Sequence, residues 1–302
     1  VRVHLAVLLA VAACGDRETP DRALGELVVA PKRQVQAIDV AKTSRDPAEL
    51  GHALALPHHD AVTLLGPHTL AIKSAVNVVE GTATVDDMTT ETTIEIGDNG
   101  SWRAVSNNTA DYGREAIFAG SELYLRQRYG KWHRRPPTDD AEPTTLRDQY
   151  AAELAAVWDL VAPGAELTDR GTRDVAGRSG RVIEVRLDPS PRKPATEPHA
   201  QRKWRETRAI EALAGEIVLD AERGVPLSAN LSGKIGFSRD GRRFVMTVQL
   251  VHEVKAIGQA VAIALPPPEE TVTTPMRRGE VDDRDYLLKG IAPAQGRSGN
   301  PP

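Results

Sequence analysis

The chain is short of cysteine, aromatics, long apolar runs and net charge, and each shortage removes a class of protein. A single Cys in 302 residues cannot close an intrachain disulfide, so a disulfide scaffold is excluded. No apolar run reaches the roughly 20 residues that a membrane-spanning helix needs. With 38 basic against 42 acidic side chains the formal charge is −4, too close to balance for an electrostatically driven nucleic-acid binder, and nucleic acid is not an expected partner. No Gly-x-Ser-x-Gly elbow is present, and the glycines between Gly171 and Gly180 lack the Lys-Ser/Thr pair of a phosphate loop. His52, His58, His59, Asp60 and His68 cluster in sequence without any standard metal-ligand spacing and read as a solvated segment. No catalytic residue, metal or cofactor is expected, and the chain does not read as an enzyme.

The amino terminus is more specific. Arg2 precedes a short apolar run, Leu5 to Ala10, which leads into Val11-Ala12-Ala13-Cys14. Charge, apolar stretch, small residues and cysteine in that order read as a secretory signal rather than a span. The last four residues resemble the lipobox of bacterial lipoproteins. That resemblance implies removal of residues 1–13, acylation of the Cys14 thiol, and attachment to a membrane through several acyl chains, each buried methylene contributing about 0.8 kcal/mol. A cleaved signal with an incidental cysteine is the alternative. In the family an Asp directly after the cysteine retains lipoproteins at the inner membrane; here Gly15 stands there, which points to the outer membrane, facing the periplasm.

Residues 14–45 are expected to be the lipidated Cys and tether, and between Asp21 and about Asp60 the helical candidates are Leu24–Val40 and Pro47–Leu56. From Thr69 the apolar period becomes two: Ile72, Val76 and Val78 share one face, and Lys73 and Asn77 the other. Further strands are expected at Thr89–Ile96, Ser101–Ser106, Arg114–Ala119, Glu122–Arg128 and Trp132–Arg135, joined by Gly- and Asn-containing turns. A helix is expected over Thr145–Val161, opened by a Thr145/Asp148 capping box and stopped by Pro163-Gly164. Strands resume at Gly180–Leu187, Glu216–Leu219, Pro226–Phe237 and Arg243–Lys255, interrupted by a Pro-rich loop over Asp188–Ala200. The fold class is thus mainly β with one or two helices: a single curved antiparallel sheet, an incomplete β-barrel partly covered by helix, over residues 46–265. Residues 266–302, with Pro-rich ends around a charged segment, read as a flexible tail.

This succession of strands, one helix and closing strands, with Gly215-Glu216-Ile217-Val218-Leu219-Asp220 and Gly224-Val225-Pro226-Leu227, resembles the half-barrels of the LolA/LolB lipoprotein-localisation proteins and their RseB-like and LppX-like relatives. The resemblance implies an open sheet lined by apolar side chains, partly roofed by helices, with a groove for acyl chains. No functional residue of that family is carried onto this chain.

Two sets of side chains are candidates for function. The inward face of the sheet and its helix supply groove candidates: Ile72, Val76, Val78, Ile94, Ile96, Trp102, Phe118, Tyr150, Leu154 and Trp158. Eight of the aromatic residues fall between Trp102 and Trp158, so the bulk of any core or groove lies there. The hairpin around Gly130 gathers Arg126, Arg128, Lys131, Trp132, Arg134 and Arg135, residues that suit an anionic lipid surface; the bland reading is a solvated edge. A second basic cluster, Arg202-Lys203-Trp204-Arg205 with Arg208, has the same two readings. Two functions follow. One is a lipid-anchored envelope protein binding an apolar or amphipathic ligand, as a lipid or lipoprotein carrier or sensor. The other is a non-catalytic scaffold with a filled core that contacts envelope proteins.

Overall fold

The computed structural model of the chain describes residues 35, 38–190 and 207–274. The signal segment, Cys14, the tether to Pro20, most of the Leu24–Val40 candidate, Arg202 to Arg205 and residues 275–302 lie outside the described residues. The rest forms one open, curved sheet of twelve strands that does not close into a barrel. Its strands are β1 (Thr69–Glu80), β2 (Ala83–Ile96), β3 (Trp102–Asn108), β4 (Gly113–Ala119), β5 (Glu122–Gln127), β6 (Trp132–Arg135), β7 (Ala165–Val175), β8 (Arg178–Leu187), β9 (Ala209–Asp220), β10 (Pro226–Arg239), β11 (Arg242–Lys255) and β12 (Thr271–Thr273). In space they run β12-β6-β5-β4-β3-β2-β1-β11-β10-β9-β8-β7. All pairings are antiparallel except β12 on β6, where Thr271–Thr273 lies parallel to Trp132–Arg134. That short strand belongs to the segment read from the sequence as tail.

Five α-helices are present among the described residues, where one or two were expected: α1 (Val40–Thr43), α2 (Pro47–Leu54), α3 (His58–Leu65), α4 (Glu142–Ala151) and α5 (Glu153–Val161). The single helix expected over Thr145–Val161 is two, meeting at Ala152. It also starts earlier, because the Asp139 carboxylate accepts hydrogen bonds from the Ala141 and Glu142 amides and Pro143 fits a first turn. The Thr145/Asp148 capping box therefore does not form. Asp148 instead caps α3, accepting from the His59 amide at 2.9 Å and meeting His59 Nδ1 at 2.6 Å. No helix of the described residues is long and apolar enough to cross a membrane.

Alternation explains which face of the sheet is buried. Leu70, Ile72 and Ser74 on β1 pair with Ile94, Thr92 and Thr90 on β2, and with Val254, His252 and Leu250 on β11. Directly paired residues share a face, so this phase carries the apolar set of every neighbour to the concave side. There α5 lays down Leu154, Val157, Trp158 and Val161, all buried. Each contributes on the order of 2 kcal/mol by leaving water, which offsets the marginal stability of an isolated helix of 9 residues. Gly233 on β10 is buried opposite Val161, whose Cγ1 would lie 3.1 Å from an added Cβ, so the close helix–sheet approach depends on the missing side chain. Trp158 donates its Nε1–H to the Pro47 carbonyl at 3.2 Å and ties α5 to α2.

Candidate functional site

The helix layer does not cover the concave face evenly. Under α2, α4 and α5 the sheet is filled: Ile72, Ile94, Ile96, Trp102, Tyr150, Leu154 and Trp158 are all buried in one apolar cluster. Towards the hairpin end of β1 and β2 the same face is only half-buried at Val76, Val78, Met88 and Met246. Register sets Val76 against Met88 and Val248, and Val78 against Met246, in a continuous strip. Phe237 stacks on Phe244 at its border, with ring centroids 5.5 Å apart. The groove candidates thus divide: Val76 and Val78 lie on the open strip, Phe118 is half-buried beside Trp102, and the other seven lie inside the packed half.

Beside the open strip the concave face turns polar. Thr90, Thr92, Ser106 and Asn108 follow one another across β2 and β3, and Arg114 pairs with Ser106 from β4. These side chains, with Tyr150 of α4 and Glu153 of α5, line a cavity of about 230 Å³. Arg114 rests its guanidinium 4.4 Å from the centre of the Tyr150 ring, a cation–π contact that fixes its position. Burial pushes the Tyr150 phenol upward, so it stays protonated and can donate a hydrogen bond. Thr92 Oγ1 donates to Ser106 Oγ at 2.9 Å, which leaves the Ser106 proton for another acceptor.

A second, smaller cavity of about 40 Å³ lies where α3 meets the other end of β1 and β11, among apolar walls and three histidines, His58, His68 and His252. The sequence reading of this segment as solvated is corrected: His58, His68 and Asp60 are buried, because α3 folds back onto the sheet with Ala61 and Leu65 inward. The tautomers follow from the acceptors. The Gly66 carbonyl, 2.9 Å from His68 Nδ1, can only accept, so His68 carries its proton there and presents a bare Nε2. His58 Nε2–H donates to it at 3.0 Å, which leaves His58 Nδ1 as a buried acceptor without a partner among the described residues. Burial, then His68 and Arg147, hold the His58 imidazolium well out of reach. Burial and, more weakly, Arg147 lower His68 against the pull of the Gly66 carbonyl. His252 is pushed down to about 4 by burial, with the Pro226 backbone opposing and His68 assisting. Among the described residues neither of its ring nitrogens has a partner at hydrogen-bond geometry. Among the described residues no group of three or more His, Cys, Asp or Glu side chains is arranged to hold a metal ion.

The basic hairpin looks different in space. Arg126 pairs with Glu115 at 2.7 Å and lies 4.4 Å from the Trp132 ring centre; Arg128 meets Asp111 at 3.2 Å; Arg134 pairs with Glu122 and Arg135 with Glu142. Trp132 and Arg135 are buried, Trp132 in a small cluster with Ile117 and Tyr124 on the convex face. Lys131 alone of the six is an exposed cation with no carboxylate beside it among the described residues. Carboxylates from neighbouring strands, from the turn between β3 and β4 and from α4 offset the row of arginines, which sequence spacing could not disclose.

Arg114, Glu153 and His252 were not singled out as site residues from the sequence, and His58 and His68 were noted there only as part of a histidine cluster without metal-ligand spacing. A signal existed for two of them: Arg114 keeps phase with Ala116 and Phe118, and His252 with Leu250 and Val254, so each is a polar residue on an otherwise apolar face.

No protein-family model and no curated protein matches the chain. Among solved structures the chain is similar to LprF from Mycobacterium bovis, at 15% identity and a TM-score of 0.28, over 74% of this chain and 99% of that one. It is similar to the MucA/MucB complex of Pseudomonas aeruginosa at 16% identity and a TM-score of 0.20, over 74% and 67%. A LolA superfamily protein from Nitrosomonas europaea matches at 8% identity and 0.19, over 65% and 87%. At these TM-scores the matches assign no residue and no ligand to this chain. The open, curved, almost wholly antiparallel sheet with helices against one face is the fold class expected from the sequence.

Proposed function

We propose that the protein is an envelope lipoprotein, anchored through Cys14, that binds an amphipathic ligand on the concave face at the end its helices leave open. One observation carries the reading: the half-buried strip of Val76, Val78, Met88 and Met246 adjoins the hydroxyl-lined cavity at Thr90, Ser106 and Arg114. An acyl chain on the strip would remove apolar surface from water at about 25 cal/mol per Å², while a polar head would meet donors instead of losing its hydration. Membrane attachment would hold such a binder close to its source of ligand.

Native mass spectrometry of protein purified without detergent tests the proposal. An adduct of lipid mass is expected, together with binding of a fluorescent fatty acid at about one site per chain, and both should vanish in Val78→Asp, which places a charge on the strip. A clean apo mass with no dye binding would refute it. That outcome would favour the second reading, a scaffold whose basic hairpin and tail contact envelope proteins, which the complete packing of Ile94, Ile96, Trp102 and Leu154 supports.

A further inference from the structure

We propose that the cavity beside Tyr150 is a zwitterion site, shaped for a compact group that carries an anion and an ammonium a few bonds apart. The inference rests on the reading that this end of the concave face takes an amphiphile, and names the chemistry of its head.

Two opposite charges line the one cavity, Arg114 from β4 and Glu153 from the first turn of α5. Their side chains form no ion pair with each other, and neither has an ion-pair or side-chain hydrogen-bond partner among the described residues. This sets Arg114 apart from the arginines that flank it on the convex face. Arg103 and Arg126 share Glu115, and Arg128 holds Asp111. The concave position of Arg114 follows from its pairing with Ser106 and Gln127, whereas Glu115, next in sequence, points the other way. The Tyr150 ring covers one face of the guanidinium, leaving its N–H edge to donate, and a planar fork of donors fits carboxylate or phosphate oxygens.

A simple anion would meet Arg114 but be repelled by Glu153, and a simple cation the reverse. A zwitterion satisfies both walls, and the Ser106 hydroxyl, its proton uncommitted, can donate to the anionic part. Asn108 contributes shape more than bonding, since its Oδ1 already accepts from the Ala110 and Tyr112 amides. A volume of about 230 Å³ exceeds the roughly 150 Å³ of a cavity that holds benzene, so a compact polar head fits. Such a head, phosphoethanolamine for example, could come as part of a lipid or as the free small molecule.

The test is titration calorimetry of the full chain with three probes: lysophosphatidylethanolamine, lysophosphatidylglycerol of the same acyl length, and free phosphoethanolamine. The zwitterionic lysolipid is expected to bind about tenfold tighter than the anionic one, the worth of one charge-assisted contact. Arg114→Gln and Glu153→Gln should each erase that preference, and Arg114→Lys should retain part of it. Because neither side chain is paired, melting temperatures close to wild type are expected and serve as the folding control. Equal binding of the two lysolipids, unchanged by either substitution, would overturn the zwitterion site and leave the amphiphile reading standing. Binding of phosphoethanolamine without either lysolipid, lost in both variants, would support the site and refute the amphiphile reading. No heat with any probe would overturn both.

Discussion

Acidification should weaken this fold well before its carboxylates titrate, and His252 allows the size of the effect to be worked out. Its imidazole sits on β11 between Leu250 and Val254, enclosed by α3 and the β1 strand, with a pKa lowered from 6.5 to about 4, chiefly by burial. A group whose folded pKa lies below its unfolded value gives no differential term above about pH 6.5, where both states are neutral. As the pH falls the unfolded chain takes up the proton first, and stability drops until the folded pKa is passed. At 1.36 kcal/mol per decade the full loss is about 3 kcal/mol, of which about 2 kcal/mol falls between pH 7 and pH 5. His58 and His68, lowered in the same sense by burial and by Arg147, add to the decline. The charged groups near the cluster are Arg147 of α4, which disfavours protonation, and Glu253 of β11, which favours it weakly. Glu142, held low by Arg135 and Thr138 against the cost of burial, gives up its contribution only from the ordinary carboxylate range downward, so the window from pH 7 to pH 5 is dominated by the imidazoles. Urea unfolding at pH 7, 6 and 5, for wild type and His252→Leu, measures the slope. The variant should lose about 2 kcal/mol less over that window, because leucine fills the site without a proton to accept. A wild-type stability flat between pH 7 and 5, or an undiminished decline in His252→Leu, would refute the burial argument.

Replacing Cys14 with Ala should abolish incorporation of a clickable fatty acid and move the protein from the membrane pellet to a soluble or signal-retained form; persistent labelling would end the lipoprotein reading. Arg135→Met removes one partner of a buried ion pair and leaves Glu142 only partly reached by water, so a loss of about 2 to 3 kcal/mol in urea unfolding is expected. A change under about 0.5 kcal/mol would mean that the pair behaves as a surface one.

What could be read from the sequence follows the strength of its periodicity. The strand from Thr69 to Glu80 and the hairpin of β10 and β11 alternate cleanly and sit where the pattern puts them, and Asp240 and Gly241 take the positive φ values their turn requires. Strand β7 was missed because an edge strand buries little. Its only apolar residues are Ala165, Leu167 and Val175, and what holds it is charge: Arg181 on Asp169, Arg170 on Glu184 and Arg173 on Glu216. Gly171, at φ +86°, lies in the irregularity between Asp169 and Thr172. Helix α3 was missed for a related reason, since half of its inward surface is histidine and aspartate instead of aliphatic side chains.

The candidate site was harder to read because a groove and a core share one sequence pattern. Ile72 and Val76 stand on the same face of the same strand, yet one is packed and the other half-open, and the difference is only how far α5 reaches across the sheet. That reach is set at its far end by Val161 against Gly233, two residues that no local reading would connect. The polar half depends on longer relations still: Arg114 and Glu153 are 39 positions apart, and their meeting requires β4 to pair inward at Ser106 and α5 to cross above it. Two unpaired charges facing one cavity are conspicuous only once the other arginines of the sheet are seen to be paired. What marks the proposed site is therefore a missing partner, which a sequence cannot display and the packed sheet can.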